Sequence, residues 1–164
     1  MLNQTTAQLR ETGISRWSSH LGDLFNNQIA TGLNALKPAD DDTKVRNAIA
    51  ECHEKANATI KFYRDLPEQL AAKLIAAGIP AALAHQTAES FAQRAGAQQN
   101  LAWATNANLA CNSVTKLVDL LIKNPSKWKR DSEGQVRSTN QGFIDQLEAA
   151  NRELHSAVKA INGG

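Results

Sequence analysis

From Pro80 to the "KNP" at 123–125 the chain contains no helix breaker stronger than Gly96. Alanine recurs throughout this run, aromatic residues make up only 5% of the chain, and strand-favouring Val, Ile and Tyr are few. Alanine gives up no side-chain entropy in a helix, so the run is helical by local preference alone. It predicts one long helix over about 80–123, roughly 60 Å at the usual rise per residue. Two helices nearly in line are the alternative if Gly96 kinks it.

Charge sharpens this expectation. Residues 67–115 carry only Glu68, Lys73, Glu89 and Arg94 as formal charges. A solvated helix of that length is normally studded with Lys and Glu, so the run is expected to lie against neighbours on more than one side, as a central rod. Its polar residues are amides instead. The small-residue stripe Ala88, Ala92 and Ala95 extends at helical period through Gln99, Ala102, Asn106, Ala110 and Leu117. Amides on or beside such a seam fix register at some cost in stability, and they suit pairing with another chain equally well. Gln98, Gln99 and Asn106 are therefore expected partner-binding residues.

The flanks also follow helical spacing. Ile14, Trp17, Leu21, Leu24, Phe25, Ile29, Leu33 and Leu36 predict a helix that stops before "KPADDD". Val45, Ile49, Cys52, Ala56, Ile60 and Tyr63 predict a second, from Thr43 to Leu66, with Asp42 as its cap. Pro67 suits the first turn of a short third helix ending at Gly78. Near the end, Ile144, Leu147, Asn151, Leu154, Val158 and Ile161 alternate by four and three, the mark of a coiled-coil-like seam with Asn151 as its one polar member. The expected fold is an all-α antiparallel bundle of four to five helices, with one long central helix (about 80–123) and a C-terminal coiled-coil-like helix. It forms a single domain over 1–164, with 1–10 and 162–164 frayed and 124–137 an interhelix loop.

No window approaches the roughly 18 apolar residues of a membrane helix, and the start has no secretory pattern. Cys52 and Cys111 sit far apart in helical patterns and read as small core residues of a reducing compartment, with a disulfide or reactive thiol as the alternative. The expectation is a soluble cytoplasmic protein. The Asn-, Gln-, Thr- and Ser-rich start also suits a bacterial factor secreted without a cleavable signal peptide.

Chemistry is sparse. His20, His53, His85 and His155 fall in different helical segments and lack the Glu-x-x-His spacing of di-iron bundles. Nucleophile elbows, phosphate loops and Cys-x-x-Cys pairs do not occur. The chain is expected to be no enzyme and to need no cofactor or metal. The stretch "KLIAAGIPAALAHQTAESFAQRAG" (73–96) has the Gly turn of a helix-turn-helix, but its second helix is too long and its charges cancel, so it reads as a bundle hairpin. Lys123, Lys127, Lys129, Arg130 and Arg137 surround Trp128 in a loop that either contacts nucleic acid or tucks its indole onto the bundle end. Eighteen basic against sixteen acidic residues, a net charge of +2, supplies no long phosphate track. The expected function is a non-catalytic helical protein–protein interaction or assembly protein, a bacterial accessory, scaffold or secreted factor that binds another protein or itself. Nucleic-acid binding through the Trp128 loop, with the 74–96 hairpin, is the alternative.

Overall fold

A computed structural model describes residues 29–38 and 41–162. The elements are α1 (Ala30–Ala35), α2 (Thr43–Ala76), α3 (Ala81–Arg94), α4 (Ala97–Lys123), a 3-10 turn (Pro125–Lys127), the two-residue strands β1 (Lys129–Arg130) and β2 (Val136–Arg137), and α5 (Gln141–Asn162). The chain is an all-α bundle with antiparallel neighbours. Of the helix expected over 14–36, all but its end, Ile29 with α1, lies outside the described residues, as does His20.

One sequence expectation for α2 is corrected and a second holds in part. Pro67 does not start a new helix; α2 continues through it to Ala76. Proline deprives the Tyr63 carbonyl of its helical donor, an intrinsic cost of about 3 kcal/mol. Leu66, Leu70 and Ala71, all buried against the following helices, hold the segment helical despite it. Asp42 holds the N-cap position, its carbonyl accepting the Arg46 N–H at 3.0 Å, but its side chain makes no cap bond. Its carboxylate pairs with Arg46 at 2.5 Å, while Asp41 Oδ1 accepts the Thr43 backbone N–H at 2.9 Å. The Thr43 hydrogen bonds hold the Asp41 carboxyl below its usual range.

The turn at Gly78 is as the sequence predicts. Ile79 N–H reaches back to Leu74 O at 3.0 Å and Gly78 N–H to Ile75 O at 2.9 Å, the paired bonds that end a helix in a left-handed residue. Gly78 sits at φ +89°, where a side chain is strained.

From there α3 and α4 run back along α2 in succession. Ala71 clusters with Ala88, Tyr63 and Leu66 with Ala92 and Ala97, then Cys52, Ile49 and Val45 with Cys111, Val114 and Val118. The single long helix over 80–123 is therefore corrected to two. Gly96, at φ +70°, ends α3 and opens α4. The break also shifts the buried face by about one residue's turn. Of the stripe extended from Ala88 and Ala92, Gln99 and Ala102 are exposed and Ala110 and Leu117 buried, while α4 also buries Ala97, Ala104, Ala107, Cys111 and Val114. α4 packs against α2 and α5, and α2 against α3 and α4; α3 packs along α2 and merely adjoins α4.

Asn140 starts α5 by accepting the Phe143 N–H on its side-chain oxygen at 2.9 Å. The face of α5 that meets α4 overlaps the expected heptad seam in part. Ile144, Leu147, Leu154 and Val158 are partly buried, as is Ala150, Phe143 and Ala157 are buried, and Asn151 is exposed. A helix resting on one partner keeps the 3.6 period, so Ala150 rather than Asn151 turns inward.

Candidate functional site

The segment between α4 and α5 is more ordered than the interhelix loop expected at 124–137. Lys129 pairs with Arg137 and Arg130 with Val136 in an antiparallel hairpin. Its turn is tied by Asp131, whose Oδ1 accepts the Gln135 and Glu133 backbone N–H groups at 2.8 and 3.0 Å and whose Oδ2 accepts Arg137 Nε at 2.7 Å. The Arg137 guanidinium, then the Gln135 amide, hold the Asp131 carboxyl below its ordinary range. Gly134 at φ +77° closes the turn. Alternating Trp128, Arg130 and Val136 around "DSEG" carried this hairpin signal, which helix-oriented reading passes over.

Trp128 faces inward. It is buried with Leu36, Leu121 and Phe143, and its indole N–H donates to Leu121 O at 2.8 Å. That bond satisfies a carbonyl in the last turn of α4. No indole face is left for a base to stack upon, which corrects the reading of Trp128 as a nucleic-acid contact. Arg130 lies 5.9 Å over the same ring and is also engaged. Nε donates to Leu36 O and Nη2 to Leu33 O, both at 2.6 Å, and Nη1 donates to Gly134 O. The guanidinium so caps the C-terminal end of α1 from a position distant in sequence. Burial lowers its pKa.

The remaining basic residues divide. Lys123 pairs with Asp119 at 3.1 Å, and Asp119 also receives Arg46 at 2.8 Å. Arg46 first and Lys123 second hold the Asp119 carboxyl low. Arg137 is spent on Asp131, whereas Lys127 and Lys129 point to solvent. Of the basic cluster only Arg130 is turned inward; Lys123 and Arg137 make ion pairs at the surface, and Lys127 and Lys129 are exposed.

A cleft of about 550 Å³ opens between this hairpin, α1, α4 and α5. Leu33, Leu117, Leu121 and Leu147 line its apolar side; Arg130 and Asn151 contribute to its polar rim. It brings together two residues singled out from sequence, Arg130 and Asn151. Its polar side chains form no nucleophile–base pair of the kind covalent catalysis uses.

The expected partner-binding amides do not converge. Gln98 and Gln99 are exposed on the first turns of α4. Asn106 spans to α5 through its Nδ2 and Ala160 O at 3.2 Å, a helix-to-helix tie. Asn108, not singled out from sequence, links His53 Nδ1 at 2.9 Å and Asn57 Oδ1 at 2.8 Å across α2 and α4. His85 and His155 are exposed on other helices. Among the described residues no group of three or more His, Cys, Asp or Glu lies close enough to hold a metal ion, and no helix is long and apolar enough to cross a membrane.

Ile75, Leu83 and Leu109, at 41%, 54% and 52% exposure, are the large apolar side chains left open to solvent among the described residues. The first two flank the Gly78 turn, and residues 74–84 contain no charge at all. Set against protein-family models, characterised proteins and solved structures, the chain matches none.

Proposed function

We propose that the protein is a non-catalytic helical interaction or assembly protein that engages another protein, or a second copy of itself, through the α2–α3 hairpin. The observation that carries this reading is the uncharged, solvent-exposed tip over 74–84, with Ile75 and Leu83 open on either side of the turn. Exposed aliphatic residues on a rigid two-helix projection gain free energy when a partner covers them, about 25 cal/mol for each Å² removed from water. A role as an accessory, scaffold or secreted factor fits this reading. Nucleic-acid binding gains no support from the fold, because Trp128 is inside and Arg130 and Arg137 are engaged within the hairpin.

The test is association at high salt. Light scattering on purified protein and pull-down from its native extract should show a complex that survives molar salt, and Ile75→Lys with Leu83→Lys should abolish it without lowering the melting temperature. A monomer that retains nothing, in wild type and variant alike, refutes the reading. An interaction lost on adding salt and dependent on Lys127 and Lys129 transfers the assignment to nucleic acid.

A further inference from the structure

Cys52 and Cys111 are the chain's two cysteines, and the fold brings them together. They are 1% and 0% exposed, on facing sides of α2 and α4. Both belong to one core cluster, with Ile49, Val114 and Val118 around them. Their surroundings are small. Ala48 and Ala56 lie one turn either side of Cys52, and Ala107 and Ala110 lie beside Cys111, all buried. Alanines between helices allow the axes to approach closely, and a disulfide requires its two Cα atoms within about 4.4–6.8 Å.

We propose that Cys52 and Cys111 form a site of intramolecular oxidation, at which a small hydroperoxide converts the dithiol into a disulfide that staples α2 to α4. Cys52 is the attacking sulfur. The neighbouring Cys111 side chain first, and Lys55 more weakly, favour its thiolate, although burial and Glu51 oppose it. Cys52 and burial hold the proton on Cys111. The Cys52 thiolate attacks the terminal oxygen and breaks the O–O bond; the leaving alkoxide or hydroxide takes a proton, and Cys52 becomes a sulfenic acid. Cys111 then attacks the Cys52 sulfur, its proton goes to the departing hydroxyl, and water leaves. Two thiols and one hydroperoxide give one disulfide, one water and one alcohol, or two waters when the oxidant is hydrogen peroxide. The two electrons come from the sulfurs and end in the cleaved O–O bond. A small uncharged oxidant is specified because both sulfurs are enclosed, which excludes bulky charged disulfides from the folded protein. The proposal is independent of the interaction function.

The experiment adds hydrogen peroxide to folded, reduced protein, blocks residual thiols by alkylation and digests without reductant. The expected product is a monomer that has lost two hydrogens, with tryptic fragments 47–55 and 95–116 joined. Constraining so long a loop should lower the unfolded population about a hundredfold, seen as a denaturant midpoint raised by peroxide and restored by dithiothreitol. Cys111→Ala should accumulate a sulfenic acid at Cys52 that dimedone traps, whereas Cys52→Ala should leave Cys111 a thiol. The wild-type digest alone decides the matter if either variant misfolds. Thiols that survive until denaturant is added, or cross-links between chains rather than within one, overturn the proposal.

Discussion

Helix α2 serves two regions that are built differently. Its first half, from Val45 to Ala56, belongs to a body in which α4, α5, α1 and the β-hairpin supply Ile, Val, Leu, Trp and Phe to two joined clusters. Its second half forms an arm with α3, and there α3 buries only Ala84, Ala88 and Ala92. Burying an alanine methyl contributes about 0.8 kcal/mol, against about 1.5–3 for a full Leu or Phe side chain. The body is held by bulk and by ties distant in sequence, such as Arg130 to the end of α1. The arm is held by Tyr63, Leu66 and Leu70 of α2 seated on the small residues Ala88, Ala92 and Ala97, and leaves Ile75 and Leu83 in water. An element so built is rigid enough to present a surface and short of the burial that would make it self-sufficient.

Breaking the body should have the largest consequence. Trp128→Ala removes the indole from the cluster with Leu36, Leu121 and Phe143 and takes one of two donors from the Leu121 carbonyl, which keeps the Asn124 N–H at 3.2 Å. A loss of about 3–5 kcal/mol is expected in urea unfolding. A loss below about 1 kcal/mol would place the indole on the surface and revive its role as a nucleic-acid contact.

The arm is addressed by Gly78→Ala. A Cβ there meets nothing within 4 Å, so the cost is the backbone strain at φ +89° alone, about 1 kcal/mol. Hydrogen exchange should quicken about fivefold around 70–92 while 111–121 keeps its protection, if arm and body open separately. Equal acceleration in both would mean one cooperative unit.

Smallest of all is the effect of Asn151→Leu. On a buried heptad seam this change would stabilise by about 1 kcal/mol and loosen register. With Asn151 exposed at the rim of the cleft, the melting transition should move by no more than the equivalent of about 0.5 kcal/mol.

The all-α class, the Gly78 turn and the inward-facing cysteines were legible because each depends on local chemistry: alanine-rich propensity, a glycine that accepts positive φ, and helical period around positions 52 and 111. Pro67 misled because its cost is local and fixed, while the burial of Leu66, Leu70 and Ala71 that outweighs it comes from residues beyond the turn. The charge-poor run misled in another way. Few charges were read as burial on several sides, whereas α3 has one long neighbour among the described residues and exposes its amides.

What the sequence by itself determined is therefore the kind of element at each place and the sites where the backbone must turn. Which face of each helix is covered was decided only in three dimensions. A left-handed residue at Gly96 rotates α4 relative to α3, so of the stripe read across it Gln99 and Ala102 are exposed while Ala110 and Leu117 stay buried. The same holds for Trp128 and Arg130: their types allow a nucleic-acid contact or an internal brace, and only the proximity of the Leu121, Leu33 and Leu36 carbonyls, a product of packing between distant segments, selects the brace.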